Sequence, residues 1–197
     1  MDYEYMNTSE YEPRENSLEN SDPAAWPHEA LKRFRLIFRA VQQHSQWVES
    51  CCGVSYAQLW AMSELSNNAG MKVSELARAM SLHQSTASNL LVKLEKKGLI
   101  RRERTHADQR VVRLYLTDAG QALVDQAPEP RQGLLLQALL ELPTPVLVAL
   151  TRNLDLLVEA MHISDEQAAM QPLNVSVQEP DSKTTKPRRK PRSTENA

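Results

Sequence analysis

A run of short polar and basic side chains between Ser81 and Gly98 has the residue types needed to bind a charged, hydrogen-bonding partner. One face of this run repeats at helical spacing through four apolar residues: Ala87, Leu90, Leu91 and Leu94. The opposite face carries Ser85, Ser88, Asn89, Val92, Lys93 and Lys96. That face is almost free of acid, so it suits the major groove of DNA, where base edges offer donors and acceptors beside phosphates.

The chain on either side of this helix also follows recognisable rules. Ser81 and Gln84 have capping-box spacing, which predicts a helix start at Ser81, and Gly98 suits the left-handed position past its end. The preceding helix, SELARAM, is predicted to be capped by Ser74. After Gly98, two alternating segments, Ile100–Arg104 and Val111–Leu116, predict a basic hairpin around a polar loop at 105–110. We expect residues 71–73 to add a short strand to it.

Helix, turn, second helix and basic hairpin together predict a winged helix-turn-helix. The stretch resembles the MarR (multiple antibiotic resistance regulator) family of bacterial transcription factors. The resemblance is carried by SELARAM, by QSTASNLLVKLEKKGLIRR, and by ADQR followed by LYLTDAG, and it covers roughly residues 27–163. It implies a homodimer that binds a double-stranded DNA operator.

Long apolar helices flank the winged module. Pro27 is predicted to start a helix ending near Cys51, broken by Gly53, and Ser55 with Gln58 to cap the next one. Beyond the hairpin we predict a helix capped by Thr117 or Asp118 and interrupted at Pro128 and Pro130, an apolar segment at 134–142, and a final helix opened by Thr144-Pro145. The final helix carries a regular apolar stripe that predicts a seam for a second helix: Leu147, Leu150, Leu154, Leu157 and Met161.

Charge is separated along the chain. The net charge of −2 would alone argue against nucleic acid, but residues 71–118 hold ten Lys or Arg against five Asp or Glu. We predict a disordered acidic arm at 1–25, a winged helix domain at 26–172 and a disordered basic tail at 173–197. The domain divides into a DNA-binding lobe at about 55–117 and dimerisation helices at about 27–52 and 118–163. Two hypotheses for the tail have equal weight: it adds affinity for DNA, or it is a disordered end that increases solubility.

Ten residues are the predicted DNA contacts. We expect the helix start to meet phosphates and its outward face to meet base edges, Asn pairing with adenine and Lys reaching guanine or phosphate. The resemblance implies that Arg110 enters the minor groove and that Asp108 fixes the wing loop; the alternative is an ion pair between the two. The full set is Gln84, Ser85, Thr86, Ser88, Asn89, Lys93, Arg104, His106, Asp108 and Arg110.

A small aromatic or phenolic effector is implied by the resemblance alone. Its candidate contacts lie on the first two helices, although core or surface roles remain the simpler interpretation: Arg39, His44, Trp47 and Trp60. We find no catalytic, cofactor or metal-binding pattern in the sequence. The adjacent Cys51 and Cys52 fit a reducing cytoplasm, since neighbouring cysteines form only a strained disulfide. No segment resembles a membrane span or a secretory signal.

The predicted fold is therefore mostly α with a small β-hairpin wing, a winged helix-turn-helix with long N- and C-terminal dimerisation helices. The predicted protein is a cytoplasmic, nucleoid-associated, ligand-responsive repressor and not an enzyme. A protein-interaction module or anti-regulator that kept the fold without specific DNA readout is the alternative. A thiol-based redox enzyme is a third and remote hypothesis.

Overall fold

The computed structural model describes residues 22–105, 108–165 and 167–173, and side chains at these positions other than 105–110. Most of the predicted acidic arm, and the basic tail from residue 174 on, lie outside the described residues. The described elements, in chain order, are α1 (Trp26–Cys52), α2 (Tyr56–Asn67), α3 (Val73–Ala79), α4 (Gln84–Lys96), β1 (Ile100–Thr105), β2 (Asp108–Leu116), α5 (Asp118–Gln126), α6 (Leu134–Glu141) and α7 (Thr144–Ala160). Single 3-10 turns form at Pro23–Ala25 and Ala168–Met170.

Several predicted helix ends are confirmed. Gly53 follows α1 in the left-handed conformation, with a φ of +63°, and Gly98 does the same after α4, with a φ of +69°. At the start of α2 the Ser55 N–H donates to Gln58 Oε1 at 3.0 Å, and the Gln58 N–H donates to Ser55 Oγ at 3.4 Å. The Thr117 hydroxyl accepts the Gly120 N–H at 3.1 Å and so caps α5. Local sequence was sufficient to predict each of these boundaries.

Three predicted helix starts are wrong. α4 begins at Gln84, because Leu82 is buried in the core and Ser81 takes a left-handed turn conformation, with a φ of +52°, to bring it there. α3 begins at Val73 and not after Ser74, because the Glu75 carboxylate accepts the Lys72 N–H at 2.8 Å.

The third wrong start is that of α7. Thr144 lies inside this helix and Pro143 occupies the capping position. Thr144 was predicted from its side chain to cap the helix, but no side-chain capping bond forms at this end. The proline within the first turn is as predicted.

The wing is an antiparallel pair with one addition. β1 and β2 pair Ile100 with Leu116 and Arg102 with Leu114. The Leu114 N–H donates to the Met71 carbonyl at 3.0 Å, and the Gly70 N–H donates to the Leu114 carbonyl at 2.9 Å. The expected short strand at 71–73 is present as this single bridge.

The core lies between the hairpin and the helices of the winged module. Its fully buried large side chains come from α1 through α5: Val48, Val54, Leu59, Met62, Leu65, Leu76, Met80, Leu91, Leu94, Leu114 and Val124. α5 packs directly on the chain leaving α4, since a Cβ at Gly120 would lie 2.0 Å from the Leu99 carbonyl oxygen. By contrast, no residue of α6 or α7 is buried. Among the helices of the described ranges, none has both the length and the apolar character that crossing a bilayer requires.

Candidate nucleic-acid interface

α4 presents a polar and basic face away from the core. Ala87, Leu91 and Leu94 are fully buried, which fixes the rotation of the helix about its axis. The exposed positions are Gln84, Ser85, Asn89, Val92, Lys93, Glu95 and Lys96, while Thr86 and Ser88 are half-buried at the edges. The predicted contacts on this helix therefore share one accessible surface, except that Thr86 lies partly beneath another segment.

That other segment is the stretch of residues 168–173, which we call the C-terminal strap. Its Met170 carbonyl accepts the His83 N–H at 3.1 Å, and its Gln171 Oε1 accepts the Thr86 hydroxyl at 3.0 Å. The strap thus satisfies an N–H at the start of α4, where helix geometry leaves the first donors without partners. Sequence analysis missed this contact, because the segment has no periodic pattern and lies 85 residues from Thr86 in sequence.

A groove runs along the edge of α4 next to the strap. It encloses about 300 Å³ and is lined by side chains of α4, by Lys97 just after it, by the start of α2 and by the acidic Glu49 of α1. Asn89 and Lys93 face it from α4, Ser55 from the cap of α2, and Gln171 from the strap. The groove therefore brings hydrogen-bond donors and a cation to one edge of the helix.

The basic residues of the hairpin divide into paired and unpaired groups. Arg101 lies 2.7 Å from the Glu103 carboxylate and 5.0 Å from the centre of the Tyr115 ring. Arg102 pairs with Glu95 of α4 at 3.1 Å, and Arg113 donates to the Gly70 carbonyl at 2.8 Å. Arg104 is exposed and makes no ion pair with a described residue. Only part of this charge is therefore left for a partner.

The tip of the wing contains three predicted contacts. His106 lies outside the described residues, and so do the side chains of Asp108 and Arg110. The backbone of β2 starts at Asp108, which pairs with Thr105, and the register shifts between Arg104 and Thr105. The roles of these three residues stay predictions.

Two of the four candidate effector contacts meet in a cavity. His44 of α1 and Trp60 of α2 line an apolar space of about 210 Å³ together with Tyr56, the chain around Leu134, and the strap. Trp60 Nε1 donates to Glu64 at 2.9 Å, which leaves its ring to form the wall. Sequence analysis did not single out Tyr56.

The polar groups of the cavity are held neutral. His44 is buried, with its Nε2 3.2 Å from the Pro130 carbonyl oxygen, and burial lowers its pKa while this hydrogen bond partly opposes the shift. Burial raises the pKa of the Tyr56 phenol, against a smaller lowering by a hydrogen bond from the Leu173 backbone. An uncharged, mostly apolar cavity suits an apolar molecule carrying one or two polar groups.

The other two candidate effector contacts do not reach this cavity. Arg39 lies along a shallow groove of α1 with Phe38 and Gln42, because five residues of helix turn it away from His44. Trp47 packs its ring 5.8 Å from the His44 ring and so supports that residue from outside the cavity lining.

The cysteines show no sign of activation. Cys51 is exposed, Cys52 is half-buried, and both are free. Burial raises the pKa of Cys52, and the neighbouring Cys51 raises it further, which disfavours the reactive thiolate. Within the described ranges, no three His, Cys, Asp or Glu side chains group closely enough to hold a metal ion.

Comparison with known proteins identifies relatives of the winged module. Residues 54–112 match the model of the MarR family. The HTH-type transcriptional repressor MdtR of Bacillus subtilis is 34% identical over 83 residues, 42% of this chain and 54% of that protein. The HTH-type transcriptional regulator TtmR of Methylorubrum extorquens is 30% identical over 94 residues, 48% of this chain and 45% of that protein.

The chain thus spans about half the length of these curated relatives. Among solved structures, the Staphylococcus aureus MepR–DNA complex is similar at 22% identity with a TM-score of 0.48. That match covers 72% of this chain and 99% of the MepR chain.

Proposed function

We propose that this chain, whose residues 54–112 match the model of the MarR family, belongs to that family and is a sequence-specific transcriptional regulator that binds double-stranded DNA as a homodimer. The observation that carries the proposal is the outward face of α4. This face is exposed along its length, carries Lys93 and Lys96, and lies opposite a fully buried apolar face. The single acid within α4, Glu95, pairs with Arg102 of the hairpin. A rigid helix with this surface fits the major groove.

The individual contacts follow from position on the helix and wing. Asn89, Lys93 and Ser88 would meet base edges, and Gln84 and Ser85 would meet phosphates near the helix start. Thr86 reaches a phosphate only by releasing Gln171, because its hydroxyl has a single proton and donates it to the strap. The proposed wing contacts are Arg104, His106, Asp108 and Arg110.

Dimerisation would use the helices that flank the winged module, α1, α6 and α7, which we call the outer helices. Large apolar side chains are exposed to solvent along α1 and α7, and a contiguous apolar surface of this kind marks an interaction site. These residues are Leu31, Leu36, Ile37, Phe38, Val146, Val148, Leu154, Leu156, Leu157 and Val158. A two-fold pairing of these faces would place two copies of α4 about 34 Å apart, one turn of DNA. The operator would then be a pseudo-palindrome.

Repression with release by an effector is the proposed mode of action. The cavity between His44, Trp60, Leu134 and the strap lies between the outer helices and the winged module. A small aromatic or phenolic molecule that fills it would shift the two regions, and so change the spacing between the α4 helices. We place this activity in the cytoplasm, at the nucleoid, and the proposal includes no enzymatic step.

Selection of genomic fragments by the purified protein, at two salt concentrations, tests the proposed function. A recurring inverted repeat that persists at the higher salt supports it. Weak enrichment without a motif, vanishing as salt rises, overturns it and favours the protein-interaction module, because such binding needs only unspecific charge.

Two variants test the contacts. Lys93→Ala is expected to lower operator affinity by about five- to a hundred-fold, the usual range for a lost base contact. Arg110→Ala is expected to weaken binding without loss of helix in the circular dichroism spectrum. Arg152→Ala, an exposed cation on α7, is the matched control and should bind as the parent does. Equal affinity of all four proteins would remove α4 and the wing from the interface.

A further inference from the structure

Val92 is the one large apolar side chain that the winged module exposes. Across the described side chains from 54 to 126, every other large hydrophobic is buried or half-buried, while Val92 is 40% exposed. The remaining exposed hydrophobics of the described chain lie on α1, on α6 and α7, or beyond α7. The exposure of Val92 is therefore not part of the apolar surface assigned to dimerisation.

The position of Val92 on α4 makes its exposure informative. It lies on the same line of the helix as Ser85 and Lys96, seven residues after the first and four before the second. This line is opposite the buried line of Ala87 and Leu91. Packing does not require an apolar residue there, and a β-branched side chain is not favoured by helix propensity.

We infer that Val92 reads the C5-methyl group of a thymine in the major groove, and the inference rests on the proposed function. A valine in the centre of this face would displace water from the base edge that it contacts, and its side chain cannot form a hydrogen bond in place of the water. Guanine, adenine and cytosine present donors or acceptors there, so covering them is unfavourable. Thymine alone presents a methyl group, which gains from apolar contact.

The polar residues beside Val92 indicate where the thymine lies among the base pairs of the half-site. Asn89 and Lys93 lie on one side of Val92 and Ser88 on the other, all able to bond polar base edges. The structure thus predicts a thymine at the centre of each half-site, flanked by base pairs that are read through hydrogen bonds. A two-fold dimer would read the same thymine twice, once in each half of the inverted repeat.

Replacement of thymine by deoxyuridine tests the inference without changing the protein. On the selected operator, each symmetry-related thymine pair is exchanged for deoxyuridine, which removes only the methyl group. Exchange at one of these pairs is expected to lower the protein's affinity for the operator. The loss should be about fourfold for each half-site and roughly fifteen-fold for both, as burial of one methyl group implies. The other pairs, and thymines outside the repeat, should bind unchanged.

Protein variants then assign the methyl contact to Val92. Val92→Ser should bind the thymine and deoxyuridine operators equally, while Lys96→Ala, one helical turn away, should weaken both and keep their ratio. At the same position, 5-methylcytosine should bind better than cytosine in the parent protein, and equally well in Val92→Ser.

Either of two results overturns the inference alone: no deoxyuridine position matters, or Val92→Ser keeps the parent's ratio. In both cases the operator is still bound specifically, so the proposed function stands. If selection recovers no recurring sequence, the proposed function fails and this inference fails with it.

Discussion

The winged module and the outer helices differ in how much of their apolar surface is buried within the single chain. In the winged module, Leu59, Leu91, Leu94 and Leu114 are completely shielded within one chain. α6 and α7 contain no buried residue, although both are rich in leucine and valine. Leu156, for example, is 64% exposed. The first region carries its own interior, and the second has an apolar face that the single chain leaves uncovered.

This difference separates what each region needs in order to be stable. Burial of apolar side chains is the main favourable contribution to folding, so the winged module is stabilised by contacts already made within the chain. The outer helices make few such contacts, and most helical stability in proteins comes from packing of an apolar face. Their stability should therefore depend on pairing with a second copy.

The largest expected effect is loss of the dimer. Replacing Leu154 and Leu157 together by Glu puts two charges into the apolar stripe of α7, where desolvation is costly. We expect sedimentation velocity to show a complete change from two chains to one at micromolar concentration. Asp155→Lys exchanges one exposed charge of α7 for another on its polar line with Thr151 and Glu159, and should leave the dimer intact. An unchanged dimer in the double variant would exclude α7 from the interface.

The next effect concerns the interior of the winged module. Leu94→Ala removes a fully buried side chain and should lower the free energy of unfolding by about 2–5 kcal/mol, measured by urea denaturation. Val92→Ala, on the same helix but exposed, should change it by less than about 0.5 kcal/mol. Equal effects of the two substitutions would contradict the distinction between an interior and an exterior face of α4.

Gly120 tests the contact between α5 and the chain that leaves α4. A Cβ there would meet the Leu99 carbonyl oxygen at 2.0 Å, so Gly120→Ala should destabilise by about 1–3 kcal/mol through displacement of α5. Helix propensity alone would predict the opposite sign, since Ala is the better helix former. Ala119→Ser, at an exposed neighbour, is the control. A stabilised Gly120→Ala protein in urea denaturation would mean that α5 does not pack this closely.

The strap gives a smaller effect at the boundary of the two regions. Gln171→Ala removes the acceptor of the Thr86 hydroxyl and should cost about 0.5–1 kcal/mol or less, because the bond is exposed. Hydrogen exchange should accelerate at the His83 amide, whose acceptor is the adjacent Met170 carbonyl. Gln167→Ala, just before the strap, should leave both quantities unchanged. Unaltered exchange in Gln171→Ala would indicate that the strap does not hold the start of α4.

The smallest expected effect is a dependence on pH at the buried His44 of α1, whose ring contacts the Pro130 carbonyl. Burial lowers the pKa of His44 below its ordinary value of 6.5, so the folded protein resists a proton that the unfolded chain accepts. Stability should be fully present above pH 6.5 and fall as the pH decreases toward the folded pKa. His44→Gln should flatten this part of the curve in urea midpoints measured between pH 8 and pH 5. An identical slope in both proteins would assign the pH dependence to other groups.

Much of the fold follows from local rules. The three-and-four spacing of Ala87 to Leu94 reflects the period of a helix, so it predicts which side chains of α4 point inward. Ser55, Gly53 and Gly98 mark helix ends because capping involves only neighbouring residues. Positions of this kind were predicted correctly, and they include the outward face of α4.

Other features depend on residues far apart in the chain. Ser81 has good capping chemistry, yet burial of Leu82 decides where α4 starts, because filling the core outweighs one capping bond. The convergence of His44, Tyr56 and the strap around one cavity joins segments more than a hundred residues apart, and no local spacing encodes it.

The sequence by itself therefore determined the elements, their inward and outward faces and the polar surface proposed to meet DNA. Tertiary packing decided which of these residues remain free to act. It directs Arg102 and Arg113 to internal partners, covers Thr86 with the strap and leaves Val92 open to solvent. The physical reason is that periodicity and capping act over a few residues, whereas burial and pairing depend on which distant segments share the same space.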